Sequence, residues 1–190
     1  MTTPGELLLM DMGVENRHLY TADVTRTVPV SGTFTDLQRQ VYDIVYASQQ
    51  AGIDFIRPGV KYEDIHLTCM RVLAEGLADL GVLPVSADEA MDPAWTVYRR
   101  WALHGFGHML GIDVHDCSAA PKESYRDGTL GEGYVLTVEP GLYIRTGDDI
   151  PEAFHNIGVR IEDDVLVTQS GNGDLTASPP KAPTSRWSMG

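Results

Sequence analysis

The pattern of apolar and polar residues divides the chain into strand-like regions near its two ends and helical regions between them. Two apolar runs, residues 6–12 and 19–30, flank the polar stretch 14–18 and predict the two strands of a hairpin. From Trp101 onward, short apolar segments separated by glycine turns predict further strands. These strands are expected at residues 104–115, 134–144 and 159–167.

Two amphipathic helices are predicted between these strand regions. The first begins at Thr35, which forms a capping box with Gln38, and it ends before the stop signal at residues 57–59, Arg-Pro-Gly. The second covers about residues 62–80, with Gly81 as its C-terminal cap. Strands, then helices, then strands indicate an α+β domain in which helices cover an antiparallel sheet.

Length and composition narrow the class of protein. A chain of 190 residues with 43% hydrophobic content is one domain with a core, expected at residues 1–176, followed by a flexible Ser- and Pro-rich tail at residues 177–190. The net charge is −13, and no run of basic residues is long enough to bind along a phosphate backbone. Nucleic acid is therefore not an expected partner. Neither a membrane span nor a secretory signal is recognised, so no membrane partner and a cytoplasmic location are expected.

Acidic residues occur where strands are predicted, at Asp11, Asp23, Glu139 and Glu162. Acids are depleted from strands and repel each other across a ladder, so a bound cation is the physical reason to expect them there. If the hairpin turns at Arg17, Asp11 lies directly opposite Asp23, and two divalent ions about 3.5–4 Å apart would use both carboxylates. For either aspartate alone, a place in a turn or bulge is the alternative.

Glu139 and Glu162 each have a neighbour in the sequence that bears on the position of the carboxylate. Pro140 cannot donate a ladder hydrogen bond, so the strand must end or bulge directly after Glu139, which leaves that carboxylate at an opening. Arg160 and Glu162 share one face of the strand predicted at 159–167, so a cationic side chain lies beside an acidic one. A solvated face or a simple salt bridge with Arg160 is the alternative for each glutamate.

Three histidines, His104, His108 and His115, lie within twelve residues, beside glycine turns. Gly105 occupies the place where a zinc-protease helix needs its glutamate, so that type of site is excluded. In an extended chain His104 and His108 share a face, which allows one to ligate a metal while the other reaches a substrate. A structural role is the alternative for any one of them alone.

Four segments together carry a resemblance to a known family: MDMGVENRHLYTADVTRTVPV, HGFGHMLGIDVHD, LTVEPGLYI and VRIEDDVLV. They resemble the metal-binding motifs of the pita-bread metallopeptidases, specifically Xaa-Pro aminopeptidase (aminopeptidase P) and prolidase, in the right order over about residues 5–176. Creatinase shares the fold but lacks the full ligand set, and methionine aminopeptidase matches the second and fourth segments less well. The resemblance implies an α+β pita-bread fold.

The resemblance also implies a dinuclear metal site, with Asp23 and Glu162 as the bridging ligands. Its five ligands would be Asp11, Asp23, His108, Glu139 and Glu162. Manganese(II) is the usual ion in this branch, and four carboxylates with one imidazole form an oxygen-rich set that suits it. Cobalt(II) and zinc(II) are the alternatives.

Catalytic roles follow from the same resemblance. A metal-bridging hydroxide would attack the carbonyl before proline, and Glu139 would carry the proton to the leaving nitrogen. His104 and His115 would orient the substrate and stabilise the tetrahedral intermediate, and Arg160 would hold a bridging carboxylate in place. The implied function is a metallo-aminopeptidase acting on peptides with proline at the second position. An Xaa-Pro dipeptidase or a non-catalytic binding module are the alternatives, and homo-oligomerisation is left open.

Two departures from the family pattern stand out. Asp11 and Asp23 are twelve positions apart, against the more usual eleven, so an extra residue is expected in the hairpin tip. The N-terminal part of the family's catalytic domain is not represented in this sequence. The fold is therefore expected to be incomplete at its N-terminus, and the activity of this chain is an open question.

Overall fold

The computed structural model describes residues 2–94, 97–147 and 149–181. The strands in these ranges are β1 (Leu7–Glu15), β2 (Thr21–Pro29), β3 (Val135–Val138), β4 (Gly141–Ile144), β5 (Ile157–Arg160), β6 (Asp163–Val167) and β7 (Asn172–Asp174). The helices are α1 (Asp36–Phe55), α2 (Tyr62–Asp79) and the short α3 (Ala87–Ala90), with 3₁₀ turns at Val97–Arg100 and Glu152–Phe154. No helix in the described part of the chain is long and apolar enough to cross a bilayer.

Both long helices form where the sequence predicts them. The capping box is present, because Gln38 N–H donates to Thr35 Oγ1 at 3.3 Å and the Gln38 side chain accepts from Thr35 N–H at 2.9 Å. Helix α2 is followed by Gly81, whose φ of 67° allows the chain to reverse. The two helices pack on each other and α1 covers strands β3, β4 and β5. The buried core between helices and strands includes Tyr42, Val45, Ile65, Met70, Leu73, Leu136, Val138, Ile144, Val159 and Val165.

The hairpin of β1 and β2 forms as predicted, but its register differs. Asp11 lies opposite Thr25, and Asp23 lies opposite Gly13. The prediction that a turn at Arg17 makes Asp11 the direct partner of Asp23 is therefore wrong. Because the shift is two positions, both aspartates stay on the same face of the hairpin as diagonal neighbours.

The hydrogen bonds of the hairpin tip explain the shift. Asn16 N–H donates to the Tyr20 carbonyl at 2.9 Å, and Leu19 N–H donates to the Asn16 carbonyl at 2.9 Å. The Asn16 side-chain oxygen also accepts from His18 N–H at 2.8 Å, and Leu19 adopts the left-handed conformation at φ 70°. The turn is consequently centred on His18, one residue later than predicted.

The other face of β1 carries apolar side chains that nothing in the described part of the chain covers. Leu8, Met12 and Val14 are 38%, 52% and 71% exposed, respectively. Since side chains alternate along a strand, these even-numbered positions point away from the face that carries Asp11. We refer to these three residues as the open face of the hairpin.

The remaining strands form antiparallel ladders, β3–β6–β7 and β4–β5. The strand predicted at 134–144 is interrupted at Glu139 and Pro140, as the proline required. The strand predicted at 159–167 is also interrupted, because β5 ends at Arg160 and β6 begins at Asp163 in a different ladder. Glu139 and Glu162 thus both occupy breaks between strands.

Residues 104–115 do not form the predicted strand, and Met109 alone makes an isolated bridge, to Leu136. The segment instead runs beside β3, where its carbonyls accept hydrogen bonds from the N–H groups of Thr137 and Glu139. Gly107 allows this approach, because a Cβ there would lie 2.0 Å from the Thr137 carbonyl oxygen. His108 N–H donates to the Thr137 hydroxyl at 3.0 Å instead of to a backbone carbonyl, which prevents a regular ladder.

The first part of the predicted flexible tail is held by buried charges. Lys181 Nζ lies 2.6 Å from Asp163 and 2.5 Å from Asp174. Arg26 binds Asp163 at 2.8 Å and donates to the carbonyls of residues 179 and 180. We call this network of residues 179–181 with Arg26, Asp163 and Asp174 the C-terminal clasp. Residues 179–181 are thus in contact with the folded domain, residues 182–190 lie outside the described residues, and the flexible tail stays a prediction.

Lys181→Met is expected to lower the free energy of unfolding by about 2–4 kcal/mol, because it removes one cation from the fully buried Asp163. Urea unfolding measures the loss. The control is Lys122→Met, which breaks a 3.2 Å pair between Lys122 and Asp127 in which the lysine is 69% exposed, and little change is expected there. Equal losses in the two variants would contradict the clasp.

Candidate metal centre

Three predicted ligands from distant parts of the chain lie together. One ligand atom from each of Asp23, His108 and Glu162 lies within 4.8 Å of the other two. His108 Nε2 is 3.6 Å from Asp23 Oδ2 and 4.0 Å from Glu162 Oε1. Asp23 comes from β2, Glu162 from the break between β5 and β6, and His108 from the segment beside β3. The fold therefore brings together donors that the sequence separates widely.

Glu139 completes the cluster from the opposite strand break. Its Oε1 lies 3.6 Å from His108 Nε2, and its Oε2 lies 4.0 Å from His104 Nδ1. Its backbone N–H donates to the Phe106 carbonyl at 2.6 Å, which fixes the residue against the histidine segment. The carboxylate is thus held at the centre by a break that Pro140 imposes.

Asp11 and Arg160 lie at the edge of the cluster. Asp11 lies beside Asp23, but its side chain is 52% exposed and its carboxylate forms an ion pair with Arg160. Arg160 is predicted to hold a bridging carboxylate in place. Its Nε donates to the Thr25 hydroxyl at 3.1 Å, and that hydroxyl donates to Glu162 Oε2 at 2.5 Å. Thr25 thus links Arg160 to Glu162 by hydrogen bonds, and the role of Arg160 stays a prediction.

The two other histidines flank the cluster on different sides. The His115 ring lies 4.2 Å from the His108 ring, measured between centroids. His104 Nε2 lies 2.8 Å from the Tyr143 hydroxyl. Both histidines that the sequence assigns to the substrate therefore border the cluster, and His108 lies within it.

Three residues at the centre were missed by reasoning from the sequence: Thr25, Tyr143 and Asp164. Asp164 Oδ2 accepts from Asp23 N–H at 3.2 Å, and its other oxygen is buried without a partner among the described residues. Thr25 lies two positions from Asp23 on β2, so the period of two was an available signal for it, whereas the strand breaks at Glu139 and Glu162 remove that signal for Tyr143 and Asp164.

Burial changes the protonation of the cluster. It raises the pKa of the Glu139 carboxyl to about 7 and that of Glu162 to about 8, and neighbouring carboxylates add to both shifts. Burial and the adjacent Asp11 also raise the pKa of Asp23. Burial lowers the pKa of His108, so its imidazole is neutral near pH 7. The protein alone does not stabilise all these carboxylates in their charged form.

These properties fit bound divalent cations. Carboxylate oxygens and a neutral imidazole are the donors that such ions prefer, and added positive charge would favour the ionised carboxylates. Arg160 lies beside the carboxylates of the cluster but is paired with Asp11, and Arg26 is paired with Asp163. Divalent cations would therefore neutralise these carboxylates more fully than the neighbouring basic side chains do.

Comparison with known proteins gives the family. The sequence profile of metallopeptidase family M24 matches residues 2–169. The chain belongs to this family. Among relatives of this M24 chain, Xaa-Pro aminopeptidase 1 of Streptomyces coelicolor is 55% identical over 178 residues, which are 93% of this chain and 36% of that protein.

Solved structures of relatives agree with the fold. Proline aminopeptidase P II from Yersinia pestis has a TM-score of 0.86 and 42% identity, over 95% of this M24 chain and 40% of that one. Aminopeptidase P from Escherichia coli with the inhibitor Pro-Leu has a TM-score of 0.84 and 42% identity, over 92% and 39%, respectively. The chain thus spans about two fifths of each relative. The predicted resemblance and the pita-bread fold are confirmed for this part.

The stability of the M24 chain is expected to fall as pH rises when no divalent ion is present. The folded pKa values of Glu139 and Glu162, about 7 and about 8, exceed the ordinary value of 4.5, so the folded chain keeps protons that the unfolded chain loses. The stability these protons provide is present below about pH 4.5 and is lost as pH rises through the folded values.

Glu162→Gln removes one of the two carboxyl groups and tests the predicted direction of the change of stability with pH. In EDTA, the melting temperature of the variant minus that of the parent should increase from about pH 5 to about pH 8.5. Added manganese should reverse the order at high pH, because the parent gains more from the ion. The exposed Glu132→Gln serves as the control, and a difference that shrinks with pH would refute the electrostatic account.

Proposed function

We propose that the protein containing this chain is a metallo-aminopeptidase that hydrolyses the bond between an N-terminal residue and proline, at a dinuclear centre. The observation that carries the proposal is the convergence of Asp23, His108, Glu139 and Glu162 in a metallopeptidase of family M24. Relatives named Xaa-Pro aminopeptidase, and a solved relative holding Pro-Leu, support a proline-containing peptide as the substrate.

The proposed ligands are those that the sequence predicts, with Asp11 joining the four clustered residues. Asp23 and Glu162 are proposed to bridge the two ions, and their burial, at 8% and 1% exposed, supports a position between them. Manganese(II) is the proposed ion, with cobalt(II) or zinc(II) as substitutes. When bound, the metal pair would lower the pKa of a bound water to near neutral pH, and the ions themselves would polarise the peptide carbonyl.

Glu139 is proposed to move the proton. Its carboxyl lies at the opening left by the strand break, where its ionised form can accept a proton. It would accept the proton of the attacking water and deliver it to the nitrogen of the leaving proline. Glu139 Oε1 lies 3.6 Å from Nε2 of the proposed ligand His108, and Glu139 Oε2 lies 4.0 Å from Nδ1 of His104, which is proposed to contact the substrate. These distances support a position of Glu139 between the metal and the substrate.

The other side chains are proposed to position the reactants. His104, whose Nε2 lies 2.8 Å from the Tyr143 hydroxyl, would orient the substrate and stabilise the tetrahedral intermediate. His115, stacked on His108, would orient the peptide from the other side. Arg160 would fix Asp11 directly and Glu162 through Thr25.

Manganese-dependent release of arginine from a peptide that begins Arg-Pro-Pro is the expected activity of this chain. Glu139→Gln should reduce kcat at least about 100-fold, because the proton carrier is lost. Chromatography of the released amino acid measures both rates, with Glu132→Gln as the exposed control. Full activity of Glu139→Gln would defeat the proton role, and no cleavage by the metal-loaded parent would defeat the proposed function.

Metal content distinguishes bridging from terminal ligands. The purified parent is expected to hold about two equivalents of manganese. Glu162→Gln should retain less than about one equivalent, since a bridging ligand serves both ions, whereas Asp11→Asn should retain about one. Mass spectrometry of metals after dialysis measures these values, and the exposed Asp113→Asn is the control. Equal retention by Glu162→Gln and Asp11→Asn would contradict the bridging assignment.

A further inference from the structure

The C-terminal clasp is a buried network in which two cationic side chains face two carboxylates. Asp163 is 0% exposed and Arg26 is 4% exposed. Arg26 binds one oxygen of Asp163 and Lys181 binds the other, and Lys181 also binds Asp174. Removal of one partner from such a network leaves an uncompensated buried charge, so the remaining groups must rearrange. The geometry of the clasp therefore depends on all four side chains together.

Arg26 joins the clasp to the backbone of the proposed metal centre. Its Nη1 donates to the Glu162 carbonyl at 2.6 Å and to the Thr25 carbonyl at 2.9 Å, while its Nη2 donates to Asp163 Oδ1 at 2.8 Å. The donors of a guanidinium are fixed relative to one another in a plane. One side chain therefore sets the distance between the break that carries Glu162 and strand β2, which carries Asp23 two positions before Thr25.

Gln49 makes a second link, to the other strand break. Its side chain is fully buried on α1, and its Nε2 donates to Asp163 Oδ2 at 2.8 Å and to the Val138 carbonyl at 3.3 Å. Val138 directly precedes Glu139. Asp163 is thus connected, through Arg26 and Gln49, to the backbone beside both breaks that carry proposed centre residues.

Lys181 supplies the second positive charge of the clasp. Its Nζ lies 2.6 Å from Asp163 and 2.5 Å from Asp174. Without this charge the two carboxylates would outweigh Arg26, and a guanidinium binds a carboxylate more strongly than it binds a carbonyl. Arg26 would then be drawn towards the carboxylates and away from the Glu162 carbonyl.

We propose that Lys181 and Arg26 are positioning residues that set the metal affinity of the centre, because the clasp holds the backbone of Glu162. This inference rests on the proposed function, in which Glu162 is a metal ligand. Loss of a group that holds a ligand in place without touching the metal typically costs about 10–100-fold in metal affinity. Since coupling between two sites is reciprocal, metal binding in turn stabilises the clasp.

The test titrates Mn²⁺ into the metal-free parent and into Lys181→Met, by isothermal titration calorimetry at a temperature where circular dichroism shows both to be folded. Lys181→Met should raise the Kd for Mn²⁺ at least about tenfold. Lys181→Arg keeps the positive charge and should restore most of the affinity. An unchanged Kd in Lys181→Met would overturn the inference.

A matched control separates positioning from a loss of stability. Leu77 is fully buried on α2 in the hydrophobic core. Leu77→Ala leaves a cavity, so it should lower the melting temperature at least as much as Lys181→Met does. It should nevertheless keep the Kd of the parent for Mn²⁺. Equal weakening of Mn²⁺ binding in the two variants would show that the clasp contributes stability alone, and the inference would be wrong.

Hydrogen exchange in the unaltered chain tests the reciprocal effect, and it decides the matter if Lys181→Met does not fold. Mn²⁺ should slow exchange in the peptide of residues 172–181, where Leu175 N–H donates to the Asp164 carbonyl at 2.8 Å and Thr176 N–H donates to Asp174 Oδ1 at 3.0 Å. The short helix α3 is the internal control and should exchange at an unchanged rate. An equal change in both peptides, measured by mass spectrometry, would contradict a specific link to the clasp.

These measurements need metal binding but no turnover, so the two proposals can fail separately. Weaker Mn²⁺ binding by Lys181→Met, without Xaa-Pro cleavage by the parent, would reject the proposed function alone. Manganese-dependent cleavage by the parent, with an unchanged Kd in Lys181→Met, would reject the positioning role alone. Absence of Mn²⁺ binding by the parent would reject both.

Discussion

The mutual repulsion of carboxylates is the constraint on which the arrangement of this chain depends. Asp23, Glu139 and Glu162 lie around His108 within a few ångströms, with Asp11 beside them. Groups of like charge at such distances are unstable together unless they are protonated or share a cation. Their positions must therefore be imposed by the backbone, and each acid is anchored by a strand, a strand break or a hydrogen bond to a neighbouring segment.

The strand breaks are the means by which the backbone does this. Alternation along an unbroken strand sends every second side chain away from the centre, whereas Glu139 and Glu162 lie between strands and escape that restriction. The Glu162 N–H donates to the Thr25 carbonyl at 3.1 Å, and Arg26 donates to the Glu162 carbonyl at 2.6 Å. Because the same Arg26 belongs to the C-terminal clasp, the far end of the described chain supports the backbone of a proposed ligand.

Local signals in the sequence were sufficient for the helices and for the identity of the acids. The capping box at Thr35 and the stop after Glu139 depend on neighbouring residues, so they were predictable. The register of the hairpin was not, because it depends on Leu19 entering the left-handed conformation and on the hydrogen bonds of Asn16. The close contact of Gly107 with β3 likewise required knowledge of the partner.

Long-range contacts explain the rest of the difference. Nothing near Lys181 in the sequence indicates Asp163 as its partner, and nothing near Arg160 indicates that Thr25 separates it from Glu162. The family resemblance implied one centre for these residues, and they lie near each other, while their roles stay predictions and the contacts among them required the structure. Thr25 was available from the period of two once Asp23 was known, because both lie on β2.

The open face of the hairpin has a consequence for the proposed ions. Strand β1 has β2 as its one ladder partner in the described chain and leaves Leu8, Met12 and Val14 in solvent, so its amide hydrogens should exchange before those of β3 or β6. Asp11 belongs to this loosely held strand, whereas Asp23 and Glu162 belong to the well-packed interior. We therefore expect unequal residence times, with the ion nearest Asp11 leaving first and returning fastest.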